Sequence, residues 1–234
     1  MRENLCSIPV SEVFEPRDGC PICRMRDMLE TRAVEFIMGD AMMDPDIRVQ
    51  TNRIGFCEVH LRKMLADPNR LSLALLLHTR VAACAELIGH PPAKPDDTSL
   101  VSPPAACFTC EQIDASMRAM YETIYRQYGC EPEFRALVSQ QAGLCLPHFR
   151  SLYARAEKRM PKALLAQFRA RLVALTQKRQ REVVSALDAY CRMHDYRSAC
   201  GDWSAVRGAV EQGINYLTSR EITDTLGRGS GARM

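Results

Sequence analysis

The six residues Gly55-Phe56-Cys57-Glu58-Val59-His60 return 88 positions later as Gly143-Leu144-Cys145-Leu146-Pro147-His148. Each copy follows a Cys-x-x-Cys: Cys20-Pro21-Ile22-Cys23 stands before the first and Cys107-Phe108-Thr109-Cys110, 87 positions on, before the second. A chain that states this pattern twice has two chances to build a four-coordinate metal site. Zinc prefers four tetrahedral ligands drawn from thiolate sulfur and imidazole nitrogen. Cys20, Cys23, Cys57 and His60 supply Cys₃His, and so do Cys107, Cys110, Cys145 and His148. Quartets closed within each repeat are the simplest expectation, with pairing across the repeats as the alternative.

The spacing says where these residues lie. In Cys-x-x-His at a helix start, residues three apart share one face, so both can reach one ion. The free N–H groups and positive dipole end of a helix N-terminus also favour thiolates. Arg24 and Glu111 follow the Cys pairs where a tight zinc knuckle often has Gly, which places these pairs on helix starts as well. Competing readings are buried small apolar cysteines, a dithiol redox switch, and iron or an iron–sulfur cluster, which Cys₃His can also hold. Neither Cys pair is followed by the His of a c-type haem site, and neither sits in a thioredoxin-like βαβ pattern. Both quartets are closed, whereas catalytic zinc keeps a position for water or substrate. Structural zinc at two sites is therefore expected, and Cys57→Ser or His148→Ala should release metal and lower helicity or melting temperature.

Around these motifs the periodicity is helical throughout, and no stretch reads as a sheet. After an extended lead ending at Ser7-Ile8-Pro9-Val10, Met25, Leu29, Ala33, Phe36 and Ile37 mark an amphipathic helix that Gly39-Asp40 ends. Asp44-Pro45-Asp46 initiates a short helix, Cys57 opens another to about Ala66, and Asn69 caps the next. From Leu71 to Ile88 the sequence is apolar on most of its circumference, which marks a central core helix. A Pro-rich linker over 91–106 follows. The second copy repeats the plan, with Ile113, Met117, Met120, Ile124 and Tyr128 as its stripe and Glu131-Pro132-Glu133-Phe134-Arg135 matching Asp44-Pro45-Asp46-Ile47-Arg48. Beyond His148 come a helix to about Arg159, a long one from Pro161 to about Cys191, a loop, and a last amphipathic helix over Ala205–Leu217.

The expected fold is thus all-α: two tandem helical Cys₃His repeats sharing a core, followed by a long helix and a C-terminal helix. The divisions are 1–90, the linker 91–106, 107–194 with the long helix, and 195–234.

Eleven cysteines among 234 residues suggest metal or redox chemistry rather than disulfides, because the polar start Met1-Arg2-Glu3-Asn4 does not resemble a signal peptide. With no run long enough for a membrane helix, a cytoplasmic protein is expected. The net charge of +3 hides an asymmetry, since ten Lys/Arg between Arg150 and Glu182 face only Glu157 and Glu182. That basic helix, 150–182, can contact nucleic-acid phosphates or present a solvated face. His78 reads as a hydrogen-bonded core histidine rather than a base. Cys84 and Cys191 fit helical core positions, and His194 forms a further Cys-x-x-His with no second pair to complete it.

With these residues in view, the chain resembles an uncharacterised bacterial family of cysteine-rich helical proteins, a domain of unknown function seen mostly in anaerobes. The resemblance spans nearly the full length. It rests on Ile8-Pro9-Val10, the two Cys pairs, the two Gly-[Phe/Leu]-Cys-x-x-His motifs, Asn69-Arg70-Leu71 through Leu77-His78-Thr79, Glu131-Pro132-Glu133-Phe134-Arg135, and Asp195-Tyr196-Arg197. It implies that the Cys/His motifs belong to the family pattern and imports no reaction. The leading expectation is a zinc-stabilised, non-enzymatic intracellular adaptor or regulator with a protein partner. An iron–sulfur or metal-handling redox protein and a nucleic-acid-binding regulator are the alternatives. A third is an enzyme using His78 or the Asp195-Tyr196-Arg197 loop.

Overall fold

The computed structural model describes residues 10–89, 107–194 and 203–219. Among them it is all-helical, with ten α-helices, two single 3₁₀ turns and no strand. The linker, the Asp195-Tyr196-Arg197 loop, Cys6, Cys200 and the C-terminal tail lie outside the described residues.

The helices begin where sequence chemistry permits. α1 (Val10–Phe14) is a single turn that follows the lead and was not read from the sequence, because five residues carry too little periodicity. α2 (Pro21–Met38) starts with proline at its first position, where no N–H is needed. In α3 (Pro45–Ile54) the Asp44 carboxylate accepts from the N–H of Asp46 at 2.8 Å. α4 (Glu58–Ala66) has Cys57 as its N-cap, and α5 (Arg70–Gly89) is capped by Asn69, whose Oδ1 accepts from Ser72 N at 3.3 Å. α6 (Phe108–Cys130), α7 (Pro132–Ser139) and α8 (Leu146–Ala156) repeat the plan. α9 (Lys162–Met193) is the long helix, and α10 (Ala209–Thr218) begins after Gly208 at φ +82°.

The chain divides into two compact units, and the division does not follow the linker. The first unit holds the described residues of 26–120; the second holds those of 8–25 and 121–234. The boundaries fall inside α2 and α6, each long enough to begin in one unit and end in the other. A sequence division at 91–106 separates the copies of the motif but not the compact bodies.

In the first unit Val34, Ile37 and Met38 of α2 pack with Phe56, Met64 of α4, Leu73 and Leu76 of α5, and Cys107 and Phe108 at the start of α6. Phe56 and Phe108 meet edge to face at 6.2 Å, and Phe108 N donates to Gly55 O at 3.0 Å. Gly55 has φ +78° and ψ −168°, a region essentially reserved for glycine.

α5 is not the central helix its composition suggests. Ser72, Leu73 and Leu76 are buried, but Leu71, Val81 and Ile88 are 69%, 64% and 70% exposed, and His78 is exposed with them. Among the described residues it packs on one side, where the Thr79 hydroxyl donates to Asn52 Oδ1 at 2.9 Å and Arg80 Nη1 to Asn52 O at 2.6 Å. His78 follows Leu71 by two helical turns and shares its outer face, so it is no core histidine.

In the second unit Phe168 of α9 meets Tyr125 and Tyr128 edge to face, with centroids 5.8 and 4.7 Å apart, and Phe14 meets Phe134 at 5.1 Å. Tyr125 donates its hydroxyl to Leu152 O at 3.1 Å, joining α6 to α8. Buried Gln141 donates to Phe14 O and Leu137 O, which fastens α1. Gly143 has a different reason to be glycine from Gly55: a Cβ there would lie 2.4 Å from Cβ of Arg179 on α9. Cys191 is exposed rather than a core residue, as is Cys130, while Cys84 is half-buried. His194 joins no metal-ligand group among the described residues and packs on Tyr190 and Trp203.

Candidate metal centres

All four motifs share one local geometry. Cys57 and Cys145 are the N-caps of α4 and α8. Cys20 and Cys107 stand one residue before α2 and α6, and their carbonyls accept the first intrahelical bonds, from Arg24 N at 3.2 Å and Glu111 N at 2.9 Å. The second ligand of each motif lies three residues further, in the first turn and on the same face. Every motif therefore delivers two ligand atoms to the positive end of a helix.

The structure assembles these pairs into two groups of four: Cys57, His60, Cys107 and Cys110 in the first unit, and Cys20, Cys23, Cys145 and His148 in the second. All eight sequence-derived residues are brought into a cluster, but the quartets are exchanged relative to the within-repeat expectation. Each Cys-x-x-Cys meets the Cys-x-x-His of the other repeat. The Cys pair and the Cys-x-x-His of one repeat fall in different compact units, so each pair meets the motif of the other copy that folds within its own unit.

Within each group the ligand atoms lie within 4.8 Å of one another. In the first unit, His60 Nδ1 is 3.2, 3.3 and 3.5 Å from the sulfurs of Cys57, Cys107 and Cys110, and the sulfurs of Cys57 and Cys110 are 4.0 Å apart. In the second, His148 Nδ1 is 3.1, 3.4 and 3.8 Å from Cys145, Cys23 and Cys20, and Cys23 and Cys145 are 3.6 Å apart. Tetrahedral zinc, with bonds of about 2.3 Å to sulfur and about 2.0 Å to nitrogen, sets edges of roughly 3.8 Å between sulfurs and roughly 3.5 Å from sulfur to nitrogen. Both groups match a single four-coordinate ion.

The electrostatics of the metal-free groups point the same way. In the first unit, burial disfavours the Cys107 thiolate, yet contacts with His60 and with the backbone of Cys57 and Cys110 together outweigh it and bring this thiol down to about 6. Burial and the Cys107 charge push Cys110 up to about 12. Burial likewise works against the His60 imidazolium, but Cys107 and Glu30 raise it to about 10. In the second unit Cys20 is lowered against its burial by its Cys145, Cys23 and His148 contacts, while the neighbouring sulfurs push Cys23 up, and Cys145 to about 12. Without a cation, these packed thiols cannot all ionise; a divalent ion supplies the missing positive charge.

Glu30, Lys63 and Arg24 make contacts near the clusters that were not read from the sequence. His60 uses Nδ1 toward the cysteines and sets Nε2 3.0 Å from Glu30 Oε1, while Lys63 Nζ reaches Glu30 Oε2 at 2.5 Å. Burial would raise the Glu30 carboxyl, but these two partners hold it down to about 2. Its sequence signal was slight: a carboxylate beside Leu29 on the buried stripe of α2, legible only once α4 is known to pack there. In the second unit Arg24 donates to Val13 O at 2.6 Å, Pro16 O at 3.2 Å, and both Asp18 O and Asp18 Oδ1, bracing the loop that leads into Cys20.

The basic residues beyond His148 are partly engaged within the fold. Arg169 pairs with Glu157 at 3.1 Å and lies 4.6 Å over the Tyr153 ring, Arg159 pairs with Glu122, and Arg179 with Glu182. Lys158, Lys162, Arg171, Lys178 and Arg181 are exposed. Among the described residues, no helix is long and apolar enough to cross a membrane.

No curated protein and no solved structure matches the chain. The model of a family of unknown function, DUF6062, matches residues 1–224, which contain both Cys/His clusters; the chain belongs to that family.

Proposed function

We propose that both clusters are structural zinc sites and that the chain is a zinc-stabilised, non-enzymatic intracellular adaptor or regulatory protein. The observation that carries this reading is closure. Each group offers four soft or borderline ligands at the separations of one tetrahedral ion, between two helix N-termini, with no fifth ligand position implied. When bound, zinc would clamp α4 to α6 in the first unit and α2 to α8 in the second, and would neutralise thiolates that cannot coexist otherwise. The apolar outer face of α5, with Leu71, Val81 and Ile88, supports the presentation of a helical surface to a protein partner.

A polynuclear iron–sulfur cluster seats its thiolates on different irons and spreads them further than one ion does, so the compact groups favour a mononuclear site. A metal-handling role is the second reading, because Cys20 and Cys23 in one group and Cys57 and Cys110 in the other are only half-buried, within reach of an exchanging thiol. Elemental analysis of anaerobically purified chain, with its absorption spectrum, separates these. About two zinc ions per colourless chain is the expected result. Stoichiometric iron with visible absorption overturns the zinc reading. Retention on DNA or RNA that weakens steeply with salt would move the basic helix 150–182 from solvated face to binding surface.

A further inference from the structure

The two clusters share a ligand set but differ in what stands behind the histidine. His60 Nε2 lies 3.0 Å from Glu30 Oε1, and Lys63, one turn after His60 on α4, reaches the other carboxylate oxygen at 2.5 Å. Glu30 is 8% exposed, His60 3%. His60 Nε2 is buried with no aligned hydrogen bond, and the acceptor within reach of it is the Glu30 carboxylate, itself pinned by Lys63.

Among the described residues nothing comparable backs His148. Glu30 lies on α2, and its counterpart on α6, at the 87-residue offset of the Cys pairs, is Met117, which has no acceptor suited to an imidazole N–H. Among the described residues His148 has no carboxylate ion-pair partner. The counterpart of Lys63, at the 88-residue offset of the Cys-x-x-His motifs, is Ser151. Arg24 braces the second unit, but it holds the loop before Cys20 and not a ligand ring.

A carboxylate behind a metal-bound imidazole does three things. It selects the tautomer that leaves Nδ1 free for the ion, locks the ring plane, and makes the ring a stronger donor. It also brings a negative charge near the cation in a partly buried site.

On the reading that both clusters hold zinc, we propose that Glu30, held by Lys63, is a positioning residue that makes the first-unit cluster the tighter of the two metal sites. The second-unit site, whose histidine has no carboxylate partner among the described residues, releases its ion first to a chelator or competing thiol. The two copies of the motif have thereby diverged, one toward a permanent clamp and one toward an exchangeable ion.

The test isolates each site in the full-length chain: Cys23→Ser leaves the first-unit cluster, and Cys110→Ser leaves the second. Zinc is titrated against a chromophoric chelator. The first-unit site should bind about 10- to 100-fold more tightly. Glu30→Gln in the Cys23→Ser chain should erase most of that difference, and in the Cys110→Ser chain it should leave affinity unchanged. Cobalt loading gives a readout that a purely structural role would not move: Glu30→Gln should shift the visible bands of the first-unit site at unchanged helicity, and Glu30→Asp should restore them in part. Should a serine variant fail to fold, zinc release from the intact chain carries the same information. Two phases are expected, with Glu30→Gln accelerating the slow one alone. Equal affinities, a single phase, or a Glu30→Gln chain indistinguishable from the parent overturns the inequality while leaving two zinc sites in place. A chain that binds no zinc at all overturns the metal reading itself.

Discussion

Which cysteines would share an ion is a residue-scale question with a direct test. Cys23 and His148 lie in one cluster and Cys57 in the other. The double variant Cys23→Ser/His148→Ala should therefore retain one metal per chain, whereas Cys23→Ser/Cys57→Ser should retain none, as read by elemental analysis. Within-repeat quartets would reverse the two results. The motif glycines are a second residue-scale matter, since the same letter answers two different demands. Gly55→Ala puts a Cβ into a glycine-only backbone region, at a cost of about 1–3 kcal/mol. Gly143→Ala drives a Cβ into Arg179, and overpacking of that kind also costs about 1–3 kcal/mol. Urea unfolding of the two variants should show similar losses of stability. The sequence marked both glycines as parts of one motif; their separate reasons lie in backbone torsion and in the approach of α9, neither of which spacing encodes.

At the scale of elements, boundaries were legible and burial was not. Proline at helix starts, Asp44 and Asn69 as caps, and the Cys-x-x-His at a first turn placed α2 to α5 nearly to the residue, because these signals are local chemistry. α5 was read as a core helix because Leu, Ala and Val cover most of its surface, yet composition does not say how many sides find a neighbour. The structure gives it one packed side, with Leu73 and Leu76 buried and Leu71, Val81 and Ile88 outside. Substituting Leu71 or Val81 by Gln should change stability by less than about 0.5 kcal/mol, while Leu76→Ala should cost about 2–5 kcal/mol in thermal or urea unfolding. A large cost at Leu71 would mean that its outer face is covered in solution.

At the scale of the whole molecule, metal and protons are linked. A bound divalent ion requires three thiolates and a neutral imidazole at each cluster. In the metal-free first unit, burial and the Cys107 thiolate keep Cys110 protonated up to about 12. Contacts with Cys107 and Glu30 overcome burial and keep His60 protonated up to about 10. Zinc binding at neutral pH must displace at least these two protons there. The sign follows: protons compete with the ion, so affinity falls as pH falls and rises as pH approaches 10, and an unbuffered solution acidifies on loading. Calorimetry in buffers of different ionisation enthalpy should count the released protons. An affinity independent of pH between 6 and 8 would exclude thiolate coordination. Removal of the ions with a chelator at pH 7 should lower the melting temperature, because it removes the clamp between two helix starts in each unit and leaves crowded thiols behind.

What the sequence determined by itself is the chemistry: eight ligands in four motifs, each at a helix start, in an all-helical chain. These follow from residue type and short-range spacing, which survive any arrangement of the helices. Tertiary structure alone decided the rest. The Cys pair and the Cys-x-x-His of one repeat fall in different compact units, so each Cys pair meets the Cys-x-x-His of the other copy. The packing of α2 against α4 sets Glu30 beside His60 and Lys63, while among the described residues His148 has no carboxylate partner, a difference between two near-identical motifs that the motifs themselves do not show.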